Sequence, residues 1–160
     1  MAVRKTGQWS KVKDLTAQLK PIMNKAKKTC LMRWGIKAEG LAKSHMSAQD
    51  LGWRPLKPKT LEVKIRGGFS ENILIMTSSY FQAITSYVQG DTAFAGVKKG
   101  TKNTQGDDLT KIAAVHEYGN DNMPARPLWT PVFKETMLWT TKENNPVDIL
   151  MKDLNSKFGK

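Results

Sequence analysis

The sequence predicts an α+β fold, a small antiparallel β-sheet packed with a long N-terminal helix and C-terminal helices. Three observations carry this. Apolar residues recur every three or four positions over residues 10–46, two β-rich runs flank Gly90-Asp91, and a second helical pattern follows Pro131. At 160 residues and 39% hydrophobic content, the chain suits one modest core and is too short for two ordinary domains. Residues 1–160 therefore read as a single domain, with a basic helical region at 1–46, a mixed core at 53–130 and C-terminal helices at 131–160.

The first helix is carried by Val12, Leu15, Leu19, Ile22, Ala26, Cys30, Trp34, Ala38, Leu41 and Ala42, which fall on one helical face. Lys11, Lys13, Lys20, Lys25, Lys27, Lys28, Arg33, Lys37 and Lys43 fall mostly off that stripe and are free for solvent or a partner. Pro21 removes a backbone donor and crowds the preceding turn, so a kink or a junction of two helices is expected there. Gly35 and Gly40 weaken the helix further.

Trp53-Arg54-Pro55-Leu56-Lys57-Pro58 holds two prolines, each biasing the residue before it toward extended geometry. A short helix then covers residues 59–66, closed by Gly67-Gly68. Thr77-Ser78-Ser79 supplies hydroxyls to cap another through Ala83. Residues 84–89 and 92–98 read as a β-hairpin around Gly90-Asp91. The polar, glycine-bearing residues 99–108 read as an exposed, mobile loop, with Asp107 or Asp108 capping a helix over 109–118 that Gly119 ends.

After Pro124-Ala125-Arg126-Pro127, Leu128-Trp129 reads as a short strand. Thr130-Pro131 then supplies a cap and a first-turn proline. The following helix takes its apolar face from Val132, Phe133, Met137 and Leu138. Asn144-Asn145-Pro146 interrupts it, and Val147, Ile149, Leu150, Leu154 and Phe158 form a terminal amphipathic helix.

The net charge is +12, from 26 Lys and Arg against 14 Asp and Glu. It points to an acidic protein surface, nucleic acid or anionic lipid. Residues 1–46 hold 11 basic and 2 acidic side chains, so the excess is concentrated there. Cys30 is the single cysteine, which excludes an intrachain disulfide and a thiolate zinc cluster. A reducing cytoplasm is the simplest compartment for assembly. MAVRKTGQWS has no apolar core of signal-peptide length, and no run approaches the roughly 18 apolar residues of a spanning helix, so neither export nor membrane insertion is expected.

No catalytic signature emerges. The two histidines, His45 and His116, lie far apart in sequence, and His116-Glu117 is not followed by the second histidine of a zinc-protease helix. No catalytic, metal or cofactor residues are assigned. His116 reads as a half-buried histidine bonded to a backbone carbonyl. Arg126, held extended between prolines, fits either an intermolecular ion pair or a solvated surface position. Trp53, Trp129 and Trp139 read as core or subunit-interface anchors rather than base-stacking platforms.

Over residues 53–130 the chain resembles the neck and tail-completion proteins of tailed bacteriophages, a family of virion morphogenesis, minor tail-component and tail terminator-like proteins. Trp53, Pro55, Leu56, Thr60 and Lys64 match its opening element, and Leu74, Thr77 and Ile84 its next helix. Ala95-Gly96 matches its strand glycine, Ala113, His116, Glu117 and Gly119 its helix end, and Pro124 to Pro127 its proline-alanine-arginine-proline turn. Ser78, Tyr80, Ala83 and Ile112 depart from the pattern while keeping helix and core character.

The resemblance implies a structural, non-enzymatic virion protein without cofactor, assembled in the host cytoplasm. Its expected form is a homo-oligomeric ring, commonly sixfold, that caps the tail tube and mediates head–tail joining. Expected partners are the tail tube protein and head-completion or connector proteins, with non-specific contact to packaged DNA and no membrane. Interface residues expected on this basis are Arg126, Trp129, Trp53, Lys25, Lys28, Lys98 and Lys99. The alternative is a basic nucleic-acid-binding protein using the N-terminal lysine-rich helix in salt-sensitive phosphate contacts.

Overall fold

The computed structural model describes residue 7 and residues 9–158, and the side chains of Trp9, Lys11, Leu15, Lys157 and Phe158 lie outside the described set. The predicted stripe positions Leu15 and Phe158, and the basic residues Arg4, Lys5 and Lys11, are therefore outside it too. The fold is α+β, as the pattern predicts. Its elements are α1 (Trp9–Ala48), α2 (Pro58–Arg66), α3 (Ser79–Ala83), β1 (Ile84–Gln89), β2 (Thr92–Val97), α4 (Leu109–Tyr118), α5 (Trp129–Glu143) and α6 (Pro146–Phe158).

The spine is α1, whose 40 residues span about 60 Å. It packs against both strands, α5 and α6. Ile22, Ala26, Cys30, Ala38, Ala42 and Met46 are buried along it at near-fourfold spacing. The predicted stripe is therefore real from Ile22 onward, but Val12 and Leu19 are exposed. The helix also runs through Pro21 as one element rather than two. Pro21 is itself exposed and lies just before the first buried position, where a local loss of one backbone bond disturbs no core contact.

Gly35 has a reason beyond propensity. A Cβ at this position would lie 3.1 Å from the Ser86 Cβ, so the missing side chain lets β1 approach α1 closely. One turn along, the Glu39 carboxylate accepts from the Ser86 hydroxyl at 2.8 Å and from Lys43 Nζ at 2.7 Å. These hydrogen bonds, led by that from Lys43, hold Glu39 below the ordinary carboxylate range despite the opposing effect of burial.

Among the described residues the sheet is the hairpin alone, antiparallel, with Ile84 paired to Val97 and Gln89 to Thr92. Alternation sends Ile84, Ser86 and Val88 inward with Ala93, Ala95 and Val97. On the outer face Tyr87 stacks on its partner Phe94 at 5.0 Å, both about two-fifths exposed (41%). Gly90 turns the hairpin with φ 57°, a left-handed conformation suited to glycine.

Three local expectations are corrected. Ser78 sits at the start of α3 with φ 62°, but its hydroxyl makes no capping bond; the Thr77 and Ser79 hydroxyls bond to each other instead. Leu128-Trp129 is not a strand, since Leu128 is the N-cap residue and Trp129 opens α5. Of the predicted apolar face of α5, Val132 is fully buried, whereas Met137 and Leu138 are exposed and Thr136 takes a buried place in their stead. Thr136 satisfies its hydroxyl by bonding the Val132 carbonyl at 2.7 Å.

The helices are tied together by polar groups. Asn144, at the end of α5, donates to the Cys30 carbonyl on α1 at 2.9 Å. His45 Nδ1 lies 2.8 Å from Asp50 and Nε2 lies 3.0 Å from Glu135, linking the end of α1 to α5.

Candidate functional site

The stretch from His116 to Thr130 folds back on itself as a clasp. Asp108 starts α4 by accepting from the Thr110 amide at 2.9 Å, as a capping residue should. The helix ends at Gly119, with φ 74°, where a Cβ would lie 2.7 Å from the Ala125 nitrogen. Only glycine fits this close return of the chain. Asn120 then turns it, accepting at its side-chain oxygen from the Asn122 and Met123 amides. The Arg126 amide donates to the His116 carbonyl at 2.7 Å, closing the clasp.

Glu117 completes it. Its carboxylate accepts from the backbone amides of Leu128, Trp129 and Thr130 at 2.7, 2.9 and 3.0 Å, and from the Thr130 hydroxyl at 2.8 Å. Burial pushes Glu117 up, but these bonds outweigh it and hold the carboxyl below its ordinary range. The cap of α5 is thus supplied by α4. Sequence reasoning placed the cap at Thr130 because capping is read from neighbouring residues, and nothing local marks a carboxylate thirteen positions away.

Trp53 is buried, and its indole N–H donates to the Pro127 carbonyl at 2.8 Å. Trp129 is half-buried and packs against the core, with Phe133 5.9 Å away. Arg126 is 6% exposed, so the expected surface arginine lies inside the fold. Its Nε donates to the Arg54 carbonyl at 3.2 Å. The prolines on either side do fix its backbone, but they aim the side chain inward toward the segment around Trp53.

Arg126 lines a cleft of about 880 Å³ between α2, the segment before α3, and the end of α4. Lys64, 5% exposed, reaches in from α2 and donates to the Asn72 and Ile75 carbonyls at 2.5 and 2.7 Å. Burial lowers the Lys64 ammonium and Arg126 lowers it further. His116, whose ring lies 5.8 Å from Tyr80, is pushed down to about 4 by burial and by Arg126. It is neutral at pH 7. Its Nδ1 is buried with no partner among the described residues, so the expected ring bond to a carbonyl is absent at that nitrogen.

The lysines expected at an interface lie elsewhere. Lys25 is exposed and pairs with Asp153 of α6 at 3.4 Å. Lys28 is exposed on α1, and Lys98 and Lys99 are exposed just beyond β2. The structure does not bring these four together with Arg126. Other α1 cations are engaged within the subunit: Lys27 pairs with Asp91 at 2.6 Å, and Arg33 and Lys37 lie over the Trp139 ring. The loop after β2 is organised around Asn103, whose side-chain oxygen accepts from the Gln105 and Asp107 amides.

Compared with protein-family models, curated proteins and solved structures, the chain gives no match. No helix among the described residues is long and apolar enough to cross a membrane.

Proposed function

We propose that this protein is a structural, non-enzymatic subunit of a tailed-phage neck, a homo-oligomeric ring that caps the tail tube and mediates head–tail joining. The observation that carries the reading is the uncovered hairpin. A two-stranded sheet leaves both edges unpaired, and its outer face offers the stacked Tyr87 and Phe94 to solvent. Such edges and aromatic faces are suited to a neighbouring subunit. Tyr118, 82% exposed at the end of α4, adds a second aromatic contact. In this reading the family-like residues Trp53, Glu117, Gly119 and Arg126 shape the subunit, while the hairpin, Tyr118, Lys98 and Lys99 meet neighbours. Sedimentation mass tests it: the wild type should be a closed oligomer, and Tyr87→Ser with Phe94→Ser should yield folded subunits of lower mass. A wild type that is monomeric over the whole concentration range would contradict it.

A second reading, a basic nucleic-acid-binding protein, is favoured by the exposed first half of α1. Lys13, Lys20 and Lys28 there have no ion-pair partner among the described residues. A steep loss of DNA affinity with salt, without assembly, would promote it.

A further inference from the structure

The geometry points to an oxyanion site in the cleft between α2 and α4, taking a carboxylate or phosphate group of a ligand on Arg126, with Lys64 and Arg54 beside it. A buried cation is stable only when its charge and its donors are met. Arg126 is 6% exposed, yet the one hydrogen bond of its side chain among the described residues uses Nε, and its two terminal nitrogens, which are not sealed from the cleft, have no protein acceptor there. No carboxylate lies within ion-pair distance of it among the described residues.

The neighbours add charge of the same sign. Arg54 and Lys57 line the same cleft, and Lys64 retains one ammonium proton beyond the two given to backbone carbonyls. Arg126 acts electrostatically on Lys64 and on His116, and Arg54 acts on Arg126, so the group is mutually repulsive. The acids lining the cleft form no ion pair with this group among the described residues: Asp107 accepts from Asn103, and Asp121 has no ion-pair partner, while Glu71, outside the lining, only partly offsets the charge at Lys64.

A planar guanidinium with two free terminal nitrogens is the donor that matches a two-oxygen acceptor. Cations of one sign gathered in a single cleft repel one another, and an incoming oxyanion offsets that repulsion. His116, half-buried on the cleft wall and neutral, contributes its buried, unpartnered Nδ1 rather than a further charge. The volume, about 880 Å³, exceeds what a free inorganic ion needs and admits a larger molecule or a chain segment bearing the group.

The test uses the full chain with inorganic phosphate and, in parallel, succinate, each against sodium chloride at equal ionic strength. Heteronuclear NMR should show saturable shifts at the Arg126 side chain and the His116 ring with at least one probe, and that probe should raise the melting temperature. Phosphate alone would assign a phosphate ligand, and succinate alone a carboxylate. Arg126→Gln should weaken binding by about tenfold or more. Should that variant not fold, Arg54→Gln, at an exposed position, should weaken binding severalfold, whereas Lys13→Gln on α1 should leave it unchanged. Effects equal to those of chloride, or shifts confined to the α1 lysines, would overturn the assignment. The site stands apart from ring assembly, so this failure would leave the proposed function untouched.

Discussion

The Glu117 carboxylate caps the helix that begins near Thr130, accepting from that residue's amide at 3.0 Å and its hydroxyl at 2.8 Å. One side chain at the end of α4 therefore fixes where α5 starts. Glu117→Ala should cost about 1–3 kcal/mol, the range for loss of a charged cap to several backbone donors. Glu117→Gln should cost less, since the amide oxygen still accepts. Denaturant unfolding of the two variants checks the order, and equal costs would show that charge, not oxygen geometry, sets the cap.

The two glycines of α1 should respond with opposite signs. A Cβ at Gly40 meets nothing within 4 Å, so Gly40→Ala should stabilise by about 0.5–1 kcal/mol through helix propensity. Gly35 faces Ser86 at 3.1 Å, so Gly35→Val should destabilise by about 1–3 kcal/mol through overpacking against β1. Thermal unfolding of both variants decides this.

His116 gives the fold an acid sensitivity. Its folded value is about 4, below the ordinary 6.5, so between these limits the unfolded chain binds more protons than the native one. Stability is therefore full above about pH 6.5 and falls as the pH drops toward 4. The loss attributable to this residue is about 3 kcal/mol at the lower end. His116→Gln should flatten the stability profile over that window relative to wild type; an unchanged slope would show that other groups carry it.

The His45 link should be felt as a bridge between helices. His45→Ala removes hydrogen-bonded contacts to Asp50 and Glu135 at once, at a residue 9% exposed. A loss of about 1–3 kcal/mol is expected in equilibrium unfolding, and Glu135→Gln should recover part of the same effect.

Much of the fold was legible where its causes are local. The hairpin was predicted at 84–89 and 92–98 and occupies Ile84–Gln89 and Thr92–Val97, because β-branched runs and a glycine turn are nearest-neighbour signals. The helix over 109–118, its Asp108 cap and its Gly119 stop were likewise local. Pro21 suggests a kink or a junction of two helices because propensity is counted residue by residue, and the sequence does not say that this turn lies outside the core.

Leu128-Trp129 reads as a strand in the sequence because the capping carboxylate comes from another helix. Arg126 reads as a partner contact or a solvated arginine because arginine is usually exposed and its two prolines look like a display. What buries it is the return of the chain at Gly119 and the carbonyl of Arg54, distant features with no spacing signature. The clasp was visible as a motif. Its geometry, with Glu117 and Arg126 turned inward, was not.

The most direct test of the neck reading is negative-stain imaging of the purified protein, alone and mixed with tail tubes from a terminator-deficient lysate. The account predicts closed rings, free or seated on tube ends, and the images would supply their symmetry. Monomers that ignore the tubes yet bind DNA in a salt-dependent manner would contradict it and leave α1 as the functional surface.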